Sequence, residues 1–335
     1  MTTLSATAED AQAGPRVAER LANIQALLAD DLRWVEQALA AVCEDGPSPG
    51  IDTARHLVVR GGKRVRPMAL LLSSACFGPI TAVARELAVV AELVHSATLL
   101  HDDVVDEGLE RRGATTSRLL WGNAASVLGG DLLLVHALER TSQLAPDIMP
   151  ALIKTLRRLV DGEIVQLRGR TQLDLSEATY HRILQDKTGS LFAWSTGTGA
   201  RIAGASAQDQ ERLAAFGEQL GLAFQLVDDV LDYSGENTGK TLLADLRDGK
   251  LTLPLVLTVA KHPELVHPLR RIYAGDHEPV EQVSRAVVES DACSEVRRRA
   301  TACTRQAIDA LRLVPPSPAR GVLEHVASEL AARVS

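Results

Sequence analysis

The sequence predicts an all-α protein, a single-domain bundle of about ten or more helices. Three observations carry this. Apolar residues recur at helical spacing through most of the 335 residues, with no credible run of alternating strand pattern. The breaks between periodic stretches are marked by Gly and Pro. Two central stretches, 81–107 and 207–233, are apolar on most faces, as helices inside a bundle are. No Pro/Gly/Ser-rich linker divides the chain, so one domain is expected over 16–335, after a disordered tail at 1–15.

In order, helices are expected at 16–44, stopped by Gly46-Pro47, and at 50–76, stopped by Gly78-Pro79. The next spans 81–107 and ends at Gly108. Helices 123–143 and 148–170 are separated by Pro146 to Pro150. Those at 176–204 and 207–233 precede a loop from Ser234 to Gly239. Helix 250–261 ends before Pro263, and 278–290 and 293–312 lead to Pro315, Pro316 and Pro318. The last is 319–333.

Composition excludes several classes. Apolar residues at 46% supply a sizeable core, while 3% aromatics argue against base stacking on nucleic acid. A net charge of −7 gives no basic field for nucleic acid or acidic lipid. Cys43, Cys76, Cys293 and Cys303 show no metal-ligand spacing and read as reduced thiols. No secretory signal precedes the domain, and the charge-free stretch 67–84 is punctuated by Ser73, Ser74 and Gly78-Pro79, unlike a membrane span. A cytoplasmic location is expected.

Chemistry concentrates in two acidic clusters, Asp102-Asp103-Val104-Val105-Asp106 and Asp228-Asp229-Val230-Leu231-Asp232, each ending an apolar run. On a helix, Asp102 and Asp106 share a face and repel each other unless a cation lies between them. His95 sits roughly 10 Å down the same face. Few oxygen ligands shared with phosphate oxygens is how Mg²⁺ is usually held. Asp228 and Asp232 repeat the geometry, with Gln225 beside them. Gly221, on the same face, suits close helix packing.

Basic groups lie near these clusters. Gly61-Gly62-Lys63-Arg64-Val65-Arg66-Pro67 carries three cations in four positions. Arg111-Arg112 follows the first cluster, Lys187-Thr188 stands in an Ala/Gly/Ser-rich helix, and Lys240 and Lys250 follow the second. Arg suits bidentate phosphate contacts and Lys serves as a point charge. Two acidic sites flanked by cations fit a metal–diphosphate pocket. Arg157-Arg158 and Arg297-Arg298-Arg299 read as solvated faces, and His136, Trp121 and Trp194 as packing residues. Glu163 and Gln166 either line the cavity or form a buried hydrogen bond.

At these residues the chain resembles the trans-isoprenyl diphosphate synthases of the polyprenyl synthetase family. The matches run in family order: GGKRVRP (61–67), HSATLLHDDVVDEGLERRG (95–113), GNAASVLGGD (122–131), DKTGSLF (186–192), FQLVDDVLDY (224–233) and GKTLLADLRDGKLTLPL (239–255). The resemblance implies helices around a deep central cavity, a homodimer, and Mg²⁺-dependent head-to-tail addition of isopentenyl diphosphate to an allylic diphosphate. It implies three Mg²⁺ ions, held by Asp102 and Asp106 with Asp103 in support, and by Asp228 and Asp232. Arg111, Lys187, Thr188, Gln225, Lys240 and Lys250 would face the allylic diphosphate. Lys63, Arg66, His95 and Arg112 would hold isopentenyl diphosphate. Two features depart from the family: Leu243 stands where glycine is common, and the loop from Asp232 to Lys240 is shorter than usual.

Ala91, Val94, Ala97 and Thr98 form an arc beside the aspartate face. In the family, bulky aromatics at the fourth and fifth positions before the motif close the cavity early; here these are Thr98 and Ala97. A long-chain product is therefore expected, one that can partition to membrane, with the floor set by Leu132, Leu133, Leu134, Ile164 or Leu167. Replacing Ala97 by Phe is expected to shorten it. The alternatives are a short- or medium-chain synthase, a terpene cyclase, or a non-catalytic partner subunit.

Overall fold

The computed structural model describes residues 28–234 and 243–332. The tail at 1–15, the first part of the expected helix 16–44, and Lys240 lie outside them. The described chain is a helical bundle. Its helices are α1 (Ala29–Val42), α2 (Gly50–Val58), α3 (Val65–Ala75), α4 (Ala82–Val105), α5 (Ser117–Trp121), α6 (Asn123–Leu144), α7 (Met149–Gln172) and α8 (Glu177–Leu184). A π turn at Gln185–Gly189 leads into α9 (Ser190–Ile202). There follow α10 (Ala207–Ser234), α11 (Ala244–Arg247), α12 (Leu253–Lys261), α13 (Val266–Tyr273), α14 (Val280–Glu289), α15 (Ala292–Arg312) and α16 (Pro318–Ala332).

α4 is the central helix. Thr81 caps it by accepting from the Ala84 amide, and the run from Leu87 to Val94 is buried on every face. It packs on α3 and α6, while α10 packs between α9 and α15. Gly221 bears out its close-packing reading: a Cβ there would come within 2.9 Å of the Phe192 ring. Gly217, one turn earlier, is tighter still, at 2.5 Å from the Phe192 carbonyl oxygen. These glycines let the helix carrying the second acidic cluster lie against α9.

The structure departs from the sequence expectation at several places. The stretch 50–76 is two helices, because Gly61 and Arg64 take positive φ values of 75° and 47°. That kink turns Arg64 into the core, where it meets Glu36 and Glu92. The stretch 176–204 is interrupted by the π turn, a device frequent at functional sites. A two-stranded hairpin, β1 (Glu110–Arg111) with β2 (Ala114–Thr115), follows α4. α13 lies where no helix was expected. No described helix is long and apolar enough to cross a membrane.

Candidate active site

The last turn of α4 and the C-terminal third of α10 face each other across a cavity of about 400 Å³. Asp102 and Asp106 line it from one side and Asp228 from the other. Arg66, His95, Thr98, Arg111, Lys187, Thr188, Gln225 and Lys250 line it as well. The lower wall is apolar, with Leu99, Leu159, Val160 and Ile164.

Lysines meet the first acidic wall. Lys187 pairs with Glu163, lies 3.8 Å from Asp102 Oδ2 and donates to Gln166 Oε1 at 3.2 Å. Glu163 and Gln166 therefore line the cavity and hold Lys187. The π turn aims this lysine inward. A Cβ on Gly162 of α7 would come within 2.9 Å of Asp186 and 3.0 Å of the Lys187 side chain, so glycine admits the turn. Arg158 anchors it through Asp186 at 2.8 Å and the Gln185 carbonyl at 3.1 Å. Arg158 is thus a clamp, while Arg157 is the solvated charge expected. Lys250 lies 3.7 Å from Asp106 and 3.5 Å from Asp245. Arg170 approaches Asp106 at 3.7 Å, a cation that no motif signalled.

The second aspartate of each cluster is turned to support. Asp103 is buried and accepts from Arg111 Nε at 2.9 Å, with Nη2 at 2.8 Å, so it orients that guanidinium toward the cavity. Asp229 accepts from the Tyr180 hydroxyl at 2.7 Å, the Leu253 amide at 3.0 Å and Gln225 at 3.1 Å. Burial pushes its carboxyl up to about 7 against these three donors. Burial also raises Asp102, which Lys187 opposes and Asp106 reinforces. Asp232 sits buried a turn beyond Asp228, beneath the Asp245 amide, and does not line this cavity.

The cations expected for the second diphosphate divide. Arg66 stacks on Phe192, 4.8 Å from the ring centroid, and burial lowers its pKa to about 10. Its Nε is buried and has no hydrogen-bond partner among the described residues, a donor available to an incoming anion. Lys63 is exposed and lies outside the cavity lining. Arg112 is held back, donating to the Leu57 carbonyl at 3.0 Å with Glu92 at 3.7 Å. Burial, followed by Arg66, Arg112 and Arg111, holds His95 well below the usual imidazole range. A group neutral in the fold and protonated in the unfolded chain lowers stability as pH falls below about 6.5, by at most ~1.4 kcal/mol per pH unit. Melting between pH 7.5 and 5.5 should therefore drop further for the native chain than for His95→Gln. Equal drops would remove this account.

The chain-length arc is only partly on the cavity. Thr98 lines it and donates to the His95 carbonyl. Ala91, Val94 and Ala97 are fully buried in the packed core. Of the proposed floor residues, Ile164 lines the cavity, Leu133 is in the core and Leu167 is exposed.

The donor set suits a hard cation. Carboxylates from two helices face one space, yet among the described residues no three possible ligands gather closely enough to hold an ion alone. Completion by diphosphate oxygens is the pattern of Mg²⁺.

The polyprenyl synthetase family model matches residues 51–290. The chain belongs to this family. It is a prenyl diphosphate synthase, a transferase of prenyl groups. Among its relatives is the all-trans-nonaprenyl-diphosphate synthase (geranyl-diphosphate specific) of Rhodobacter capsulatus, 35% identical over 90% of this chain and 94% of that protein. The octaprenyl diphosphate synthase of Escherichia coli is 34% identical over 90% and 96%. A Caulobacter crescentus polyprenyl synthase, solved with calcium and isoprenyl diphosphate, superposes with a TM-score of 0.87 at 33% identity, over 94% of this chain and 98% of that one.

The family resemblance read from the motifs and the all-α fold hold. Sequence reasoning missed Glu92, Arg158 and Arg170. A lone glutamate in the apolar run AVVAELVHSA was a usable signal for the first. Nothing local marked the other two.

Proposed function

We propose that the chain condenses isopentenyl diphosphate with an allylic diphosphate in a Mg²⁺-dependent step and repeats it to a long product in the cytoplasm. One observation carries this: two aspartate walls on one cavity, with Lys187 and Lys250 against the first and Arg111 lining the same space, set over an apolar floor. Bound Mg²⁺ supplies charge for the departing diphosphate. Asp102, Asp106 and Asp228 are its ligands in this reading, and we count three ions from the family resemblance, with Asp232 adjusting the second wall. Lys187, Thr188, Gln225 and Lys250 orient the allylic diphosphate, and Arg111 stabilises it as the C–O bond breaks. Lys240 is assigned to the same group from its motif. Arg66 and His95 receive isopentenyl diphosphate, with Lys63 and Arg112 swinging in from the rim. The apolar wall excludes water from the allylic cation.

Length follows from a small Thr98 on the wall and from relatives named for octaprenyl and nonaprenyl products. Thr98→Phe should shift products shorter by at least one isoprene unit, read by chromatography after dephosphorylation. An unchanged ladder would remove Thr98 from length control. The same assay, with labelled isopentenyl diphosphate, Mg²⁺ and primers of ten, fifteen and twenty carbons, tests the function itself. Failure to elongate any of them sinks the reading.

Two copies are the assembly we favour. Exposed apolar residues follow one face of α6 (Leu128, Val135) and one of α7 (Ile153, Val160, Leu167) at seven-residue intervals. That spacing suits helix against helix. A continuous exposed apolar face is a signature of association.

A further inference from the structure

We propose that the apolar half of the cavity lacks an outer wall within one copy, and that a second copy supplies it. The growing chain then runs sideways between α4 and α7 into the seam between copies. This rests on the long-chain reading above. Val160 and Ile164 carry it. Both line the cavity, yet they are 58% and 59% exposed. They stand on the same outward stripe of α7 as Ile153 and Leu167, so the cavity wall and the external apolar face share two side chains.

The inward route is shut. Below Thr98, Val94, Ala97 and Ala91 are fully buried among core side chains. A cavity of about 400 Å³ is at the small end for a drug-sized ligand, too little for a chain of eight or nine isoprene units. Continuing inward would require parting a close-packed core. Continuing outward requires only that water be kept off the chain, since each Å² of apolar surface left wet costs roughly 25 cal/mol.

A second copy is the fitting cover. A two-fold interface places one patch against itself, so a face must be self-complementary. Exposed Asp131 and Glu139 flank the apolar stripe of α6, and exposed Arg157 and Arg168 flank that of α7. Laid α6 on α7 of the other copy, these charges meet with opposite sign.

Val160→Phe and Ile164→Phe narrow the side opening without touching the diphosphate end. In dimers verified by light scattering, both should shorten the product by two or more isoprene units. Unchanged length in an intact dimer overturns the proposal. Leu128→Glu with Val135→Glu should give a folded monomer, checked by circular dichroism, that stops at short products. A monomer that elongates to native length, a dimer that persists despite both charges, or a native chain that is itself monomeric overturns it equally. A native dimer that elongates no primer would instead bring down the function on which it rests.

Discussion

Asp102→Asn is expected to reduce kcat by on the order of 10²–10³-fold or more, the range for loss of one group that stabilises developing charge. The substitution keeps shape and volume, so circular dichroism should be native. Asp102 is held among Lys187 at 3.8 Å and Asp106 on the same face, in a site where burial already disfavours its charged form. A carboxylate kept under that penalty is functional when cations are present to meet it. The amide removes half the anionic charge of the α4 wall while Lys187 retains Glu163. The Mg²⁺-induced rise in melting temperature should shrink in parallel, a readout independent of turnover. Asp103→Asn makes the useful contrast. Asp103 reaches the cavity only through Arg111, so its loss should raise KM for the allylic diphosphate more than it lowers kcat. If Asp102→Asn retained more than a tenth of native kcat, the α4 wall would not be the metal wall.

Legibility followed range along the chain. The two acidic clusters, the apolar faces of α4 and α10, and the Gly/Pro breaks are short-range signals, and the family and the cavity followed from them. What escaped depends on long-range packing. Whether Gly61-Gly62 ends a helix depends on where Arg64 must go, and that is set by Glu36 and Glu92, each 28 residues away. Three cations at 63–66 look alike as text, yet one is exposed, one is buried structurally and one lines the cavity. The arc of small residues before Asp102 had the right angular spacing, but angle alone does not say that only Thr98 meets open space. Lys187 was found from its motif, whereas its partner Glu163 and its clamp Arg158 needed the fold.

Glu92→Ala should be the most destabilising single change outside the apolar core. Glu92 is 2% exposed in the middle of α4 and holds Arg64, itself 5% exposed, with Arg112 at 3.7 Å. Removing one partner of a buried pair leaves the other charge uncompensated, at a cost of ~3–5 kcal/mol. Arg64 would keep Glu36 at 2.6 Å and the Val58 carbonyl at 3.0 Å, which places the loss toward the lower end. The melting temperature should fall by on the order of 10 °C, taking ~2–4 °C per kcal/mol for a domain somewhat smaller than this. Glu92→Gln keeps an acceptor and the volume, and should recover part of that loss. A second readout separates scaffold from site. Freed of Glu92, Arg112 and Arg66 lose their shared counter-charge beside His95, and KM for isopentenyl diphosphate should change more than KM for the allylic substrate. A melting temperature within 2–3 °C of native for Glu92→Ala, about 1 kcal/mol or less, would mean that the buried arginines are satisfied by Glu36 and the carbonyls alone.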